Sequence, residues 1–99
     1  MRLSEEYRTV IKETLRKHFG EGSKFYLFGS RVDDSKRGGD IDLYIETDMD
    51  SNTAHDAESK AHWEMMEKLG EQKIDFVVHV AGSEWSPIEK IAKRDGVEL

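Results

Sequence analysis

The chain has 99 residues, of which 36% are hydrophobic and another 36% charged, with a formal net charge of −6 and no cysteine. A chain of this length can bury one modest core and has little material for a separate substrate domain. The acidity argues against unaided binding to duplex nucleic acid, which needs a clustered basic face, and the absence of cysteine excludes disulfide frameworks, thiolate zinc sites and a cysteine nucleophile.

The amino terminus, MRLSEEYRTV, is charged and lacks the apolar stretch of a signal peptide. No apolar run approaches the roughly 20 residues needed to span a bilayer, so a cytoplasmic location without membrane partners is expected. Ser4 is a candidate N-cap, and Leu3, Tyr7, Val10, Ile11, Leu15 and Phe19 recur at helical spacing. That pattern predicts an amphipathic helix over about 4–19, ended near Gly20 and Gly22. Lys24 to Phe28, KFYLF, reads as a short aromatic strand. A turn at Gly29-Ser30 and a loop of mixed charge from Arg31 to Gly39 lead to a second strand, about Asp40 to Glu46.

Asp48 to Thr53 is polar and turn-prone, and a helix is predicted over about 53–69, closed by Gly70. Residues 73–80 form a third strand in which Ile74, Phe76, Val78 and Val80 share one face and Asp75, Val77 and His79 the other. Ser86-Pro87 pairs a cap with proline at the first helical position, which predicts a last helix over about 87–95. The final Val-Glu-Leu is a candidate edge strand. The expected fold is α+β with α/β-type layering: a single domain over 1–99, built on a small mixed sheet of three to four strands covered by helices. The link between the first two strands is too short for a crossover helix, so they are expected to be antiparallel neighbours.

The chemistry concentrates in Asp40-Ile41-Asp42. Side chains two apart on a strand point the same way, which sets these carboxylates together with Cα atoms roughly 6.6 Å apart. Asp75 is a further carboxylate inside an apolar strand, and if the second and third strands are neighbours it converges on the same face. Three carboxylates around one point suit a hard cation, Mg²⁺ or Mn²⁺, and the bland alternative is strand-end carboxylates paired with lysine or arginine. Gly29-Ser30 offers a closely approachable backbone and a hydroxyl donor for a phosphate, but it also reads as an ordinary turn. Arg31, Lys36 and Arg37 are candidate phosphate partners or plain solvated cations, with Arg31 the best placed.

Other constellations fail. Asp48-x-Asp50-x-Asn52 begins like a calcium loop, but Thr53 stands where glycine is required and Ser59 where the bidentate glutamate belongs. His18, His55, His62 and His79 do not form a zinc pattern. His79 is in phase with Asp75, yet an ordinary strand histidine is the simpler reading. Trp63 and Trp85 read as packing or partner-contact residues.

A Gly-Ser after a strand, a loop of about ten residues and an Asp-x-Asp opening the next strand resemble the signature of the DNA polymerase beta-like nucleotidyltransferases. FGSR…GDIDLYIE most resembles the minimal nucleotidyltransferases, the MNT-type proteins encoded beside HEPN-domain partners as toxin–antitoxin pairs. The resemblance implies the polymerase beta-like fold and transfer of a nucleoside monophosphate, AMP from ATP, to a hydroxyl acceptor on a HEPN-type partner. It implies that Asp40 and Asp42 hold two Mg²⁺ ions (Mn²⁺ as a substitute), that Asp75 completes the metal on the nucleophile side, and that Gly29 and Ser30, with Arg31, contact the phosphates. One departure stands out: the residue before the first Asp is often Ser in this family and here is Gly39, which removes a hydroxyl but leaves every implied ligand. A non-catalytic antitoxin of the same fold and an enzyme acting on a small molecule are the alternatives, and a homo-oligomer is compatible with each.

Overall fold

The computed structural model describes residues 4–29, 41–70 and 73–99. Helix α1, Glu5–Phe19, starts where the sequence places it: the Ser4 hydroxyl accepts the Tyr7 N–H at 3.2 Å, satisfying a donor that the first helical turn leaves without a partner. Glu5 and Glu6 stand at its amino end and Arg16, Lys17 and His18 at its carboxyl end, the order that complements the helix dipole. Gly20, at φ +90°, ends it with its N–H on the Arg16 carbonyl.

Strands β1 (Lys24–Phe28) and β2 (Ile41–Thr47) are antiparallel, with Lys24 opposite Glu46 and Phe28 opposite Asp42. Helix α2, Ser51–Leu69, then carries the chain back so that β3, Ile74–Val80, runs parallel to β2. A parallel pair requires such a crossover. Helix α3, Pro87–Asp95, leads into β4, Val97–Glu98, which pairs antiparallel with β1. The sheet order is β3-β2-β1-β4, a mixed sheet as expected, with the short terminal strand at one edge. Helix α2 begins at Ser51, ahead of the predicted residue 53, because Asp50 caps it: its carboxylate accepts the Thr53 N–H at 2.8 Å and the Thr53 hydroxyl at 3.0 Å. The polar turn is thereby the start of the helix. Among the described residues no helix is long and apolar enough to cross a membrane.

The two sheet faces differ. Phe25, Leu27, Ile41, Leu43, Ile45 and Ile74 pack against Ile11, Leu15 and Phe19 of α1 and Ala54, Ala57, Ala61 and Met65 of α2. The α2 contact is made largely of alanines, which lets the helix lie close on the sheet. Ile11, Leu15, Leu43 and Ile45 are fully buried, each contributing about 1.5–3 kcal/mol by the area removed from water. The opposite face carries a smaller cluster, Phe28, Tyr44 and Ala92 with Tyr26 and Val77. Among the described residues α3 covers it, with Trp85 just ahead of that helix. One face therefore makes the core and the other is available for chemistry.

Candidate active site

On the face away from α1 and α2, the strand registers line up three rows of side chains across β1, β2 and β3. They are Phe28–Asp42–Asp75, Tyr26–Tyr44–Val77 and Lys24–Glu46–His79. The first row brings together two of the three predicted carboxylates. Asp42 and Asp75 are direct register partners on neighbouring parallel strands, whose axes lie about 4.8 Å apart. Both are half-buried. The condition set by the sequence, that the second and third strands be neighbours, is met. Asp40, Ser30, Arg31, Lys36, Arg37 and Gly39 lie outside the described residues.

Gly29 closes the row from the β1 side. Its φ is +78°, a left-handed conformation that side chains rarely adopt, and a Cβ built there would come within 3.0 Å of the Asp42 carboxyl carbon. The turn after β1 thus presses its bare backbone onto Asp42. No other residue type fits without moving that carboxylate.

A family model for the nucleotidyltransferase domain matches residues 8–98. The chain belongs to the nucleotidyltransferase domain family. No curated protein matches it. Nucleotidyl transfer is accordingly the general activity of this domain, and the family works with nucleoside triphosphates and divalent metals.

The side chains of this nucleotidyltransferase domain fit a divalent cation in the chemistry of their donors. Asp42 and Asp75 offer hard oxygen ligands on one face, and Gly29 meets the Asp42 carboxylate with backbone alone. Among the described residues no three His, Asp or Glu side chains are grouped as a metal site. The pair accounts for two donors, and the third residue of the predicted trio, Asp40, is outside that set.

The third row anchors α3. Glu46 accepts the Lys93 ammonium at 2.7 Å and the Tyr44 hydroxyl at 3.0 Å. Burial pushes the Glu46 carboxyl up, but the Lys93 ammonium and the Tyr44 hydroxyl more than offset it, and the group titrates below the usual range. Burial first, then the hydrogen bond to Glu46, drives the Tyr44 phenol far above its ordinary value, so it stays protonated. Beside it, His79 Nδ1 meets Glu89 at 2.5 Å, the Ser86 hydroxyl donates to the same carboxylate at 2.7 Å, and Trp85 stacks on the His79 ring with centroids 3.7 Å apart. Glu89 and Lys93, one helical turn apart, are therefore the two fastenings of α3 to the sheet. Sequence reading missed this network. Its one visible signal was period two: Glu46 and His79 are in phase with Asp42 and Asp75 on their own strands.

A cavity of about 340 Å³, lined by Gly22, Lys24, Glu46, Thr47, Asp48, His79 and Ala81, opens at this end of the face. It contains neither Asp42 nor Asp75, which lie four residues back along their strands, about 13 Å away. The cavity and the carboxylate row are thus separate features of this face. Trp85 is a packing residue, as expected; Trp63 is 73% exposed and packs little.

Proposed function

We propose that this nucleotidyltransferase domain transfers AMP from ATP to a hydroxyl group on a HEPN-type partner protein, the activity of an antitoxin. The observation that carries the transfer reading is the pairing of Asp42 with Asp75 at one level of one sheet face, beside the bare backbone of Gly29. Like charges on adjacent strands repel, and a divalent cation is the counter-charge that such a pair suits. Asp42 and Asp75, with Asp40, are the ligands in this reading, for two Mg²⁺ ions with Mn²⁺ as a substitute. Bound there, the cations supply charge neutralisation on the triphosphate and a lowered pKa for the acceptor hydroxyl.

The residues divide the remaining work. Gly29 offers a backbone that a phosphate can approach without meeting a Cβ, and Ser30 and Arg31, next in sequence, supply a hydroxyl and a cation to the β- and γ-phosphates. Asp75 lies on the outer strand and takes the acceptor side, favouring loss of the hydroxyl proton. Phe28, opposite Asp42 and buried, excludes water from the β1 side of the row. Most of the rate then comes from positioning and charge stabilisation. The AMP specificity and the HEPN-type acceptor rest on the resemblance of FGSR…GDIDLYIE to the minimal nucleotidyltransferases.

The test is transfer of label from ATP, labelled in its α-phosphate, to a purified HEPN-type partner in the presence of Mg²⁺. Label should appear on the partner with release of pyrophosphate, and it should vanish with Asp42→Asn or Asp75→Asn variants that keep the native circular dichroism. Equal labelling by wild type and both variants would overturn the assignment.

A further inference from the structure

Strand β3 is one edge of the sheet, seven residues long, and reads IDFVVHV. Soluble proteins blunt such edges with lysine, proline, a bulge or extreme shortness. The other edge strand, β4, uses shortness and has two residues; β3 uses none of these devices. Its outer rim is also open among the described residues. The Ile41 N–H donates to the Lys73 carbonyl and the Ala81 N–H to the Thr47 carbonyl, so the odd-numbered residues of β3 turn their backbone groups to β2. In a parallel ladder the alternate residues, Ile74, Phe76, Val78 and Val80, then point theirs away from the sheet. Of these groups only the Val80 carbonyl has a partner among the described residues, the N–H and hydroxyl of Ser83.

The side chains of β3 match themselves when the strand is reversed about Val77. Antiparallel pairing centred there sets Phe76 against Val78 and Ile74 against Val80 on the α2 face. On the opposite face it sets Val77 against its own copy and Asp75 against His79. Apolar groups meet apolar groups, and the one acidic residue meets the one basic residue. Phe76 and Val78 fall at hydrogen-bonded positions, where both backbone groups point outward and have no partner among the described residues. Asp75 and His79 fall at the closer, non-hydrogen-bonded positions, where side chains interact most. The apolar surface also continues past the rim: the His62 ring meets Phe76 edge-on at 5.8 Å, and His62, Trp63 and Met66 line a shallow cavity on α2.

We propose that β3 pairs edge to edge with β3 of a second copy of this chain. The product is one continuous sheet of twice four strands across a two-fold axis at Val77, with His79 of the second copy placed beside Asp75. A two-fold axis closes the assembly and consumes both open edges. Each carboxylate row then borders the His79–Glu89–Trp85 cluster of the other copy, so the two sites are joined through the interface. The proposal stands independently of the reaction assigned above.

Sedimentation of the full chain over a concentration series tests it. A mass approaching twice the monomer's at high-micromolar concentration is expected, and a monomer throughout would overturn the proposal. Val78→Pro removes an outward N–H without touching the ladder to β2. A folded Val78→Pro protein should be monomeric, and a folded variant that still dimerises would overturn the edge assignment. Hydrogen exchange on the unaltered protein gives a readout that needs no variant. The Phe76 and Val78 amides should become protected as concentration rises, and fast exchange of both in the dimer would place the contact elsewhere and sink the idea.

Discussion

Gly29 offers the sharpest test of the candidate site, because its substitution acts on one identified group. In Gly29→Ala the new Cβ meets the Asp42 carboxylate and lies within 3.0 Å of its carboxyl carbon, at a φ of +78°. The left-handed conformation alone costs an alanine about 1–2 kcal/mol. The contact adds a second effect, since the Asp42 side chain must swing aside or the turn must open. Gly20 separates the two. It has φ +90° and nothing within 4 Å of a built Cβ, so Gly20→Ala carries a positive-φ backbone cost without the collision.

Chemical denaturation of both variants, with Mn²⁺ titration followed by electron paramagnetic resonance, gives the comparison. Gly20→Ala should lose about 1–3 kcal/mol of stability, the cost of its φ +90°, ψ 159° backbone, and bind Mn²⁺ like the wild type. Gly29→Ala should also be destabilised, and its Mn²⁺ affinity should fall about tenfold, the equivalent of 1.4 kcal/mol at the displaced carboxylate. Equal Mn²⁺ affinity in the two variants would refute the argument that this turn shapes the site through Asp42.

Asp75→Asn should abolish nucleotidyl transfer while shifting stability by no more than about 0.5 kcal/mol, as measured by urea unfolding, because the residue is only half-buried in the structure. Tyr44→Phe removes a hydroxyl that donates to Glu46 from a fully buried ring. The melting temperature should fall in step with a loss of about 1 kcal/mol. Glu64 gathers Lys17 at 2.8 Å, Lys68 at 2.9 Å and His18 at 3.1 Å. The Lys17 ammonium first, then Lys68 and His18, holds its carboxyl far below the ordinary 4.5. A depressed folded-state pKa gives stability that is present above the unfolded value and lost as the pH falls. Stability should therefore decline below about pH 4.5, and Glu64→Gln should flatten that part of the profile; an unchanged profile would count against it.

Much of this was legible in the sequence because two periodicities carried it. Helical spacing of Ile11, Leu15 and Phe19 marked α1, and alternation in IDLYIE and IDFVVHV marked β2 and β3 and separated their faces. Caps at Ser4 and Ser86 located two helix starts because a side chain accepting an N–H three residues ahead is a local event. Asp50 makes the same local contact, yet its helix start was read two residues late, because Asp48 to Thr53 is as polar as any turn. The network around Glu46, Glu89 and His79 was not legible at all. Its members come from β2, α3 and β3, and no spacing within one element encodes a contact among three. The role of Gly29 was visible as a turn, but its pressure on Asp42 depends on the β1–β2 register.

That register is also why the carboxylates meet. Ile41, Leu43 and Ile45 on β2 and Ile74, Phe76 and Val78 on β3 must all face α1 and α2, since they build the main core or pack against it. Slipping β3 by two residues would keep its faces but carry Asp75 out of the row with Asp42. Shifting it by one would turn Asp75 into the core and the isoleucine, phenylalanine and valine side chains out of it. An unpaired buried carboxylate costs several kcal/mol, comparable with the whole stability of a small domain. The one-residue shift is thus excluded by the core alone. The two-residue slip is opposed at both ends of the pair, where the Ile41 N–H is held by the Lys73 carbonyl and the Ala81 N–H by the Thr47 carbonyl. The hydrophobic face fixes which side Asp75 points to, and the two ends of the ladder fix that it points there beside Asp42. The candidate site is in this sense a consequence of the core: the apolar alternation that folds the sheet is the same alternation that leaves two aspartates level with each other on the other face.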